Sequence, residues 1–218
     1  MNYLQNLWNA LNFGTLRDLA LRIISVLLCL IVHEVCHGLA AYALGDPTAK
    51  RQHRLSLNPL RHIDWFGMFA MVTLGFGWAR PVPVDPRYFK HPKRGMALTA
   101  LSGPVSNFLL ALALLLAARG VYVSAAYSTF NQSVLTFLLS TALLSIGLGL
   151  FNLIPIPPLD GSKVLFALLP DRAYQTLLRY EQFGMLVLLG MVLLNLGGNY
   201  LTAAIRWVFD LLCALVGF

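Results

Sequence analysis

The chain has 218 residues, 58% of them hydrophobic and only 11% charged, with a net charge of +7. Soluble domains carry about 25% charged residues, so this balance excludes an ordinary soluble globular protein and describes an all-α polytopic membrane protein. The basic residues collect between apolar runs, as the positive-inside rule expects of cytoplasmic loops, and no aromatic–basic stripe or groove-reading motif points to nucleic acid as a partner.

Residues 1–17 read as an interfacial lead-in, with Tyr3 and Trp8 suited to the headgroup level and no basic n-region of a cleavable signal. The first span is predicted from about Leu19 to Leu44, stopped by Gly45-Asp46-Pro47. Its C-terminal half contains Val32-His33-Glu34-Val35-Cys36-His37-Gly38, an H-E-x-x-H sequence. Two histidines four apart project from one helix face and can reach one metal ion, and in zinc hydrolases of this pattern the glutamate takes a proton from the attacking water. An ionisable residue at the centre of a membrane helix costs about 2.5 kcal/mol or more, so the polar trio needs a compensating partner. That partner is a metal, or else other helices to which the cluster is glued. Cys36 points about 100° away from His37 and is expected to pack; with Cys29 and Cys213 it lies in apolar surroundings.

Residues 48–63 carry Lys50, Arg51, Arg54 and Arg61, with some strand character over Arg51–Leu57 before Asn58-Pro59 breaks it. The apolar stretch Trp65–Trp78 is too short for the roughly 20 residues of a span and contains Gly67, Gly75 and Gly77. Basic residues flank it on both sides, so it is predicted to dip into the membrane and return. Ala79–Pro86 is extended, because its alternating prolines forbid a helix. A second span follows from about Gly95 to Ala118, with small residues at Ser102, Gly103 and Ser106 and a polar Asn107. Asn107 is equally readable as an interhelical hydrogen bond or as a functional group. The 119–132 loop is poor in basic residues, which suits the outer side.

The third span, about Val134 to Ile154, runs into Asn152-Leu153-Ile154-Pro155-Ile156-Pro157-Pro158-Leu159-Asp160-Gly161. Three prolines force the helix open there, a common device for building ion sites at membrane depth. Asp160 is then either a helix N-cap or a third metal ligand. Two closing spans are predicted, about Phe183–Leu196 and Leu201–Val216, for five to six spans in one domain covering 1–218. His53, His62 and His91 fall in basic loops, where solvated or headgroup-facing roles are expected.

H-E-x-x-H in one membrane helix and N-x-x-P-x-x-x-L-D-G in a later one resemble the site-2 proteases, the intramembrane zinc metalloproteases. The second motif stands here as Asn152 to Gly161 with every defined position matched, and Gly103 to Asn107 resembles a further G-x-x-x-N element. The likeness covers about residues 19–169, with closing helices over about 181–217. It implies one Zn²⁺ per chain held by His33, His37 and Asp160, Glu34 as catalytic base, and Asn152 and Asn107 as substrate-binding groups. It further implies a small membrane-re-entrant β element over 65–85, membrane lipid as surroundings, and a transmembrane protein as substrate. The multi-pass protein would sit in a bacterial-type cell membrane with its site near the cytoplasmic side. The compact chain lacks the PDZ insertion and nucleotide-binding domain of larger members. A metal transporter or an inactive homologue are the rival readings.

Overall fold

The computed structural model describes residues 16–62, 64, 80–124, 129–170, 173–174, 183–191, 194 and 197–218. In chain order these form α1 (Leu16–Ala43), a short α2 (Thr48–Arg51), 3₁₀ turns at Pro59–Arg61 and Pro86–Tyr88, α3 (Pro92–Val123), α4 (Thr129–Asn152), α5 (Asp160–Ala167) and α6 (Gly198–Val216). Residues 183–191 are also helical. Among the described residues four helices are long and apolar enough to cross a membrane: Arg17–Ala43, Pro92–Val123, Asn131–Asn152 and Gly198–Val216. At 1.5 Å per residue α1 is about 42 Å long, more than the roughly 30 Å of a hydrocarbon core.

α3 is the central helix and packs against α1, α4 and α5, while α6 covers α4 and the far end of α3. The apolar core lies where α3, α4 and α6 meet, around Leu115, Leu139, Leu143, Ile146 and Phe209, with Ala111 and Ala142 letting the backbones approach. Hydroxyls tie the helices at the same level. Ser25 of α1 shares a 2.7 Å hydrogen bond with Thr141 of α4. Ser145 of α4 donates to the Asn107 carbonyl of α3 at 2.8 Å.

α1 ends where Gly45-Asp46-Pro47 predicts. Gly45 has φ +106°, and the Gly45 and Asp46 N–H groups donate back to Tyr42 and Ala41, a Schellman closure. Asp46 is then fully buried, and its carboxylate accepts from Thr48 N–H (2.9 Å) and from Asp85 N–H (2.7 Å). It thereby fastens the extended 80–85 segment to the end of α1. The Asp85 carboxyl, hydrogen-bonded by Arg87, is held below the usual carboxylate range.

Several expectations change. No strand occurs among the described residues. Instead of a strand over Arg51–Leu57, the chain turns at His53 (φ +53°) and Arg54 N–H bonds back to Ala49, so it folds onto α2. The re-entrant stretch 65–78 lies outside the described residues, but its flanks meet: Arg80 N–H donates to the His62 carbonyl at 2.9 Å. His62 is not solvated. It is 2% exposed, with its Nε2 2.6 Å from the Ser56 carbonyl.

Of the two expected closing spans, Gly198–Val216 is long and apolar enough to cross a membrane. Ile205 packs on Gly147, and Arg119, at the far end of α3, donates to the Gly217 carbonyl. α6 therefore runs from the level of Asn152 to the level of Arg119. Gly184 sits against the Pro157 backbone at the Asn152 end. The other expected span, Phe183–Leu196, lies partly outside the described residues.

Candidate metal centre

His33 and His37 lie one turn apart on α1, about 15 Å and 9 Å from its C-terminal end by helix rise. Both are buried, and their rings meet edge to face with centroids 4.5 Å apart. Only a glycine on α3 permits this. A Cβ on Gly103 would lie 2.5 Å from His37 Cε1 and Nε2 and 2.7 Å from His33 Cε1.

The third group comes from the proline break. α4 ends at Asn152, the chain turns through 153–159, and α5 begins with Leu159 as its N-cap residue. Asp160 is the first helical residue and makes no capping hydrogen bond, so the N-cap reading of its side chain falls away. Its carboxylate turns to the histidines instead. Asp160 Oδ2 is 3.1 Å from His33 Nε2 and 3.1 Å from His37 Nε2, and the two Nε2 atoms are 3.0 Å apart.

This near-equilateral triangle can be tested against a metal. Tetrahedral zinc with ligands at about 2.0–2.1 Å separates them by roughly 3.3 Å, close to the spacing found. Two ring nitrogens at 3.0 Å from each other are poorly served by protons alone, because each neutral imidazole has one donor and one acceptor and both face the same carboxylate oxygen. His33, His37 and Asp160 thus fit a cation with three buried ligands and one side left open. Cys36 is not part of the cluster.

The open side faces a cavity of about 320 Å³ lined by Glu34, Val82, Val84, Asn152 and Lys163. Glu34 Oε2 accepts the Val82 N–H at 2.8 Å. Asn152 reaches the cavity and donates to the Leu148 carbonyl at 3.0 Å. Asn107 does not reach it. It is fully buried, its amide 3.1 Å from His33 Nδ1. His37 Nδ1 is 2.7 Å from the Thr99 carbonyl.

Sequence reasoning did not find Thr99, Val82 or Lys163. The first two act through main-chain atoms, which leave no mark on residue type. Lys163, with its Nζ 3.9 Å from Asp160 Oδ1, is one helical turn beyond it and was legible in principle from the i,i+3 spacing.

Fold and site together define a membrane-embedded zinc hydrolase. Comparison with known proteins agrees. A family model described as peptidase family M50 matches residues 119–196. YwhC of Bacillus subtilis, named as a zinc metalloprotease, is 39% identical over 184 residues, covering 82% of this chain and 83% of its own. Rip2 of Mycolicibacterium smegmatis, named likewise, is 27% identical over 191 residues (84% of this chain, 71% of Rip2), and Rip2 of Mycobacterium tuberculosis H37Rv is 29% identical over 191 residues (85% and 71%). No solved structure matches. The chain belongs to peptidase family M50, the site-2 proteases, and is a zinc metalloprotease of the membrane.

Proposed function

We propose that this chain, acting as one intramembrane domain, hydrolyses peptide bonds within or near transmembrane segments of other membrane proteins. His33, His37 and Asp160 hold one zinc ion and Glu34 is the base. The observation that carries the reading is the buried 3.0–3.1 Å triangle of ligand atoms with Glu34 beside it on the same cavity. Zinc bound there supplies Lewis acidity toward a carbonyl oxygen and toward water. Glu34 accepts the proton of the attacking water and delivers it to the leaving nitrogen. Val82 N–H holds one carboxylate oxygen and leaves the other to carry that proton. Asn152 and Lys163 line the same cavity, placed to meet the substrate carbonyl or backbone.

The depth of the site bears on the substrate. The peptide bonds of an intact helix are engaged in their own hydrogen bonds and covered by side chains, so the substrate enters locally unwound, as an extended chain beside 80–85. In that segment Pro81 and Pro83 carry no N–H, Val82 N–H serves Glu34 and Asp85 N–H serves Asp46, so Val84 supplies the remaining donor for a substrate strand.

Topology supports the same reading. The basic residues of 50–61 and 80–94 gather at the end of the bundle where α1 ends and α3 begins, which supports a metal site near the cytoplasmic side of a bacterial-type cell membrane. The paired flanks His62 and Arg80 support a 65–78 excursion that returns to the side it left.

The test is a pair of variants in detergent and in vesicles containing a model transmembrane substrate. Glu34→Gln should retain zinc and lose cleavage by about 10²-fold or more, the scale of a general base. His33→Ala should lose the zinc itself. Undiminished cleavage by Glu34→Gln would remove the assigned base and with it the mechanism.

A further inference from the structure

A histidine can bind a metal through Nε2 only if its proton resides on Nδ1, so whatever faces Nδ1 decides whether the ring is a ligand. For His37 the decision is made by a main-chain carbonyl. Thr99 O lies 2.7 Å from Nδ1 and can only accept, so Nδ1 is the donor and Nε2 is available. His33 has no carbonyl at its Nδ1. It has the side-chain amide of Asn107, placed with Nδ2 3.1 Å from the ring nitrogen and Oδ1 unpaired, and fully buried inside α3.

An amide can face the ring with either end, and the two orientations have opposite consequences. With Nδ2 toward the ring, His33 Nδ1 must accept, its proton moves to Nε2, and Nε2 cannot ligate. With Oδ1 toward the ring, His33 Nδ1–H donates to it and Nε2 is free to face His37 Nε2 and Asp160 Oδ2. One polar atom of the amide stays unpaired in either orientation, so hydrogen-bond count does not choose between them. The metal triangle does. The backbone on which Asn107 sits is itself fixed, because Ser145 of α4 donates to the Asn107 carbonyl at 2.8 Å.

We infer that Asn107 is a positioning residue that accepts the His33 Nδ1–H through Oδ1 and so locks His33 in the tautomer that ligates zinc. Asn107 touches neither substrate nor metal. Its effect is on the affinity of the site, and α3 thereby orients both histidines of α1: His37 through the Thr99 carbonyl and His33 through the Asn107 amide. This rests on the metal reading of the site.

The experiment uses the full chain in detergent, loaded with zinc and labelled with ¹⁵N-histidine. Two measurements are made: zinc affinity by chelator competition, and the proton resonances of the imidazole Nδ1–H groups. In the unaltered protein two downfield Nδ1–H signals are expected, one for each ligand histidine. Asn107→Leu, which keeps the size and removes the acceptor, should weaken zinc binding by about 10- to 100-fold, the range seen for partners behind a ligand. It should shift the His33 Nδ1–H signal upfield and leave the His37 signal in place. Asn107→Asp, which restores an acceptor and can only accept, should recover affinity to within about threefold of the unaltered protein on the same scale. If Asn107 only joins helices, Asn107→Leu will keep its zinc affinity and its His33 signal, and the inference is overturned. Should both variants fail to fold, the unaltered protein still decides: a zinc-loaded His33 without a hydrogen-bonded Nδ1–H overturns it. A chain that binds no zinc at all overturns the metal reading instead.

Discussion

Val82 donates its main-chain N–H to Glu34 Oε2 at 2.8 Å, joining the extended 80–85 segment to the residue assigned as base. Hydrogen bonds to charged groups contribute about 1.5–3 kcal/mol. Val82→Pro, between two existing prolines, deletes this donor. It should slow cleavage by about 10- to 100-fold, that energy converted to a rate, with zinc content unchanged. Val82→Ala retains the N–H and should lose far less. Equal losses in the two variants would assign the effect to side-chain packing.

Asp160→Asn separates ligand from structure. Asp160 makes no capping bond, so the near-isosteric amide should leave α5 and the fold intact. An amide oxygen is a much poorer zinc ligand than a carboxylate, and a negative charge beside the cation is lost. Zinc affinity should fall by at least about 10-fold and cleavage should be lost, read by metal content at buffered free zinc. Normal occupancy in this variant would strike Asp160 from the ligand set.

Gly103→Ala leaves every ligand in place. Alanine in a helix interior is favoured over glycine by about 1 kcal/mol, so α3 alone would gain. The added methyl would overlap both imidazoles at 2.5–2.7 Å. The expected outcome is a protein that inserts in the membrane yet binds zinc weakly, checked by metal content alongside thermal stability of the zinc-free form. Unaltered zinc binding would show that the rings can give way.

Single cysteines report the topology. Labels at positions 56, 90 and 199 should react from the cytoplasmic side and a label at 124 from the outer side. Reaction of 56 and 90 from opposite faces would turn the 65–78 stretch into a span. Reaction of 199 with the outer set would reverse α6.

The site was legible in the sequence because its residues are polar side chains with few other reasons to lie in apolar helices: the candidate ligands His33, His37 and, past three prolines, Asp160, and the candidate base Glu34. The long spans were legible from length and apolarity alone. What escaped was set by contacts between distant stretches. The direction of α6 is one such feature: only Ile205 on Gly147 and Gly217 beside Arg119 give it. His62 in a basic loop looks solvated, yet it is buried with its Nε2 against the Ser56 carbonyl. Asn107 was ambiguous because the residue type permits both a helix contact and a substrate contact, and its neighbour His33 is 74 positions away.

The hydrogen bond between Arg80 N–H and the His62 carbonyl makes the intervening chain a closed loop at its base. The buried Arg54 guanidinium clamps that base, donating to the carbonyls of Arg61, Arg80 and Pro81. The same clamp fixes where the chain re-enters at Arg80, and so holds the 80–85 segment in register against Glu34 and Asp46. Arg54, remote from the metal ligands in sequence, is in that sense the peg from which the active-site wall hangs.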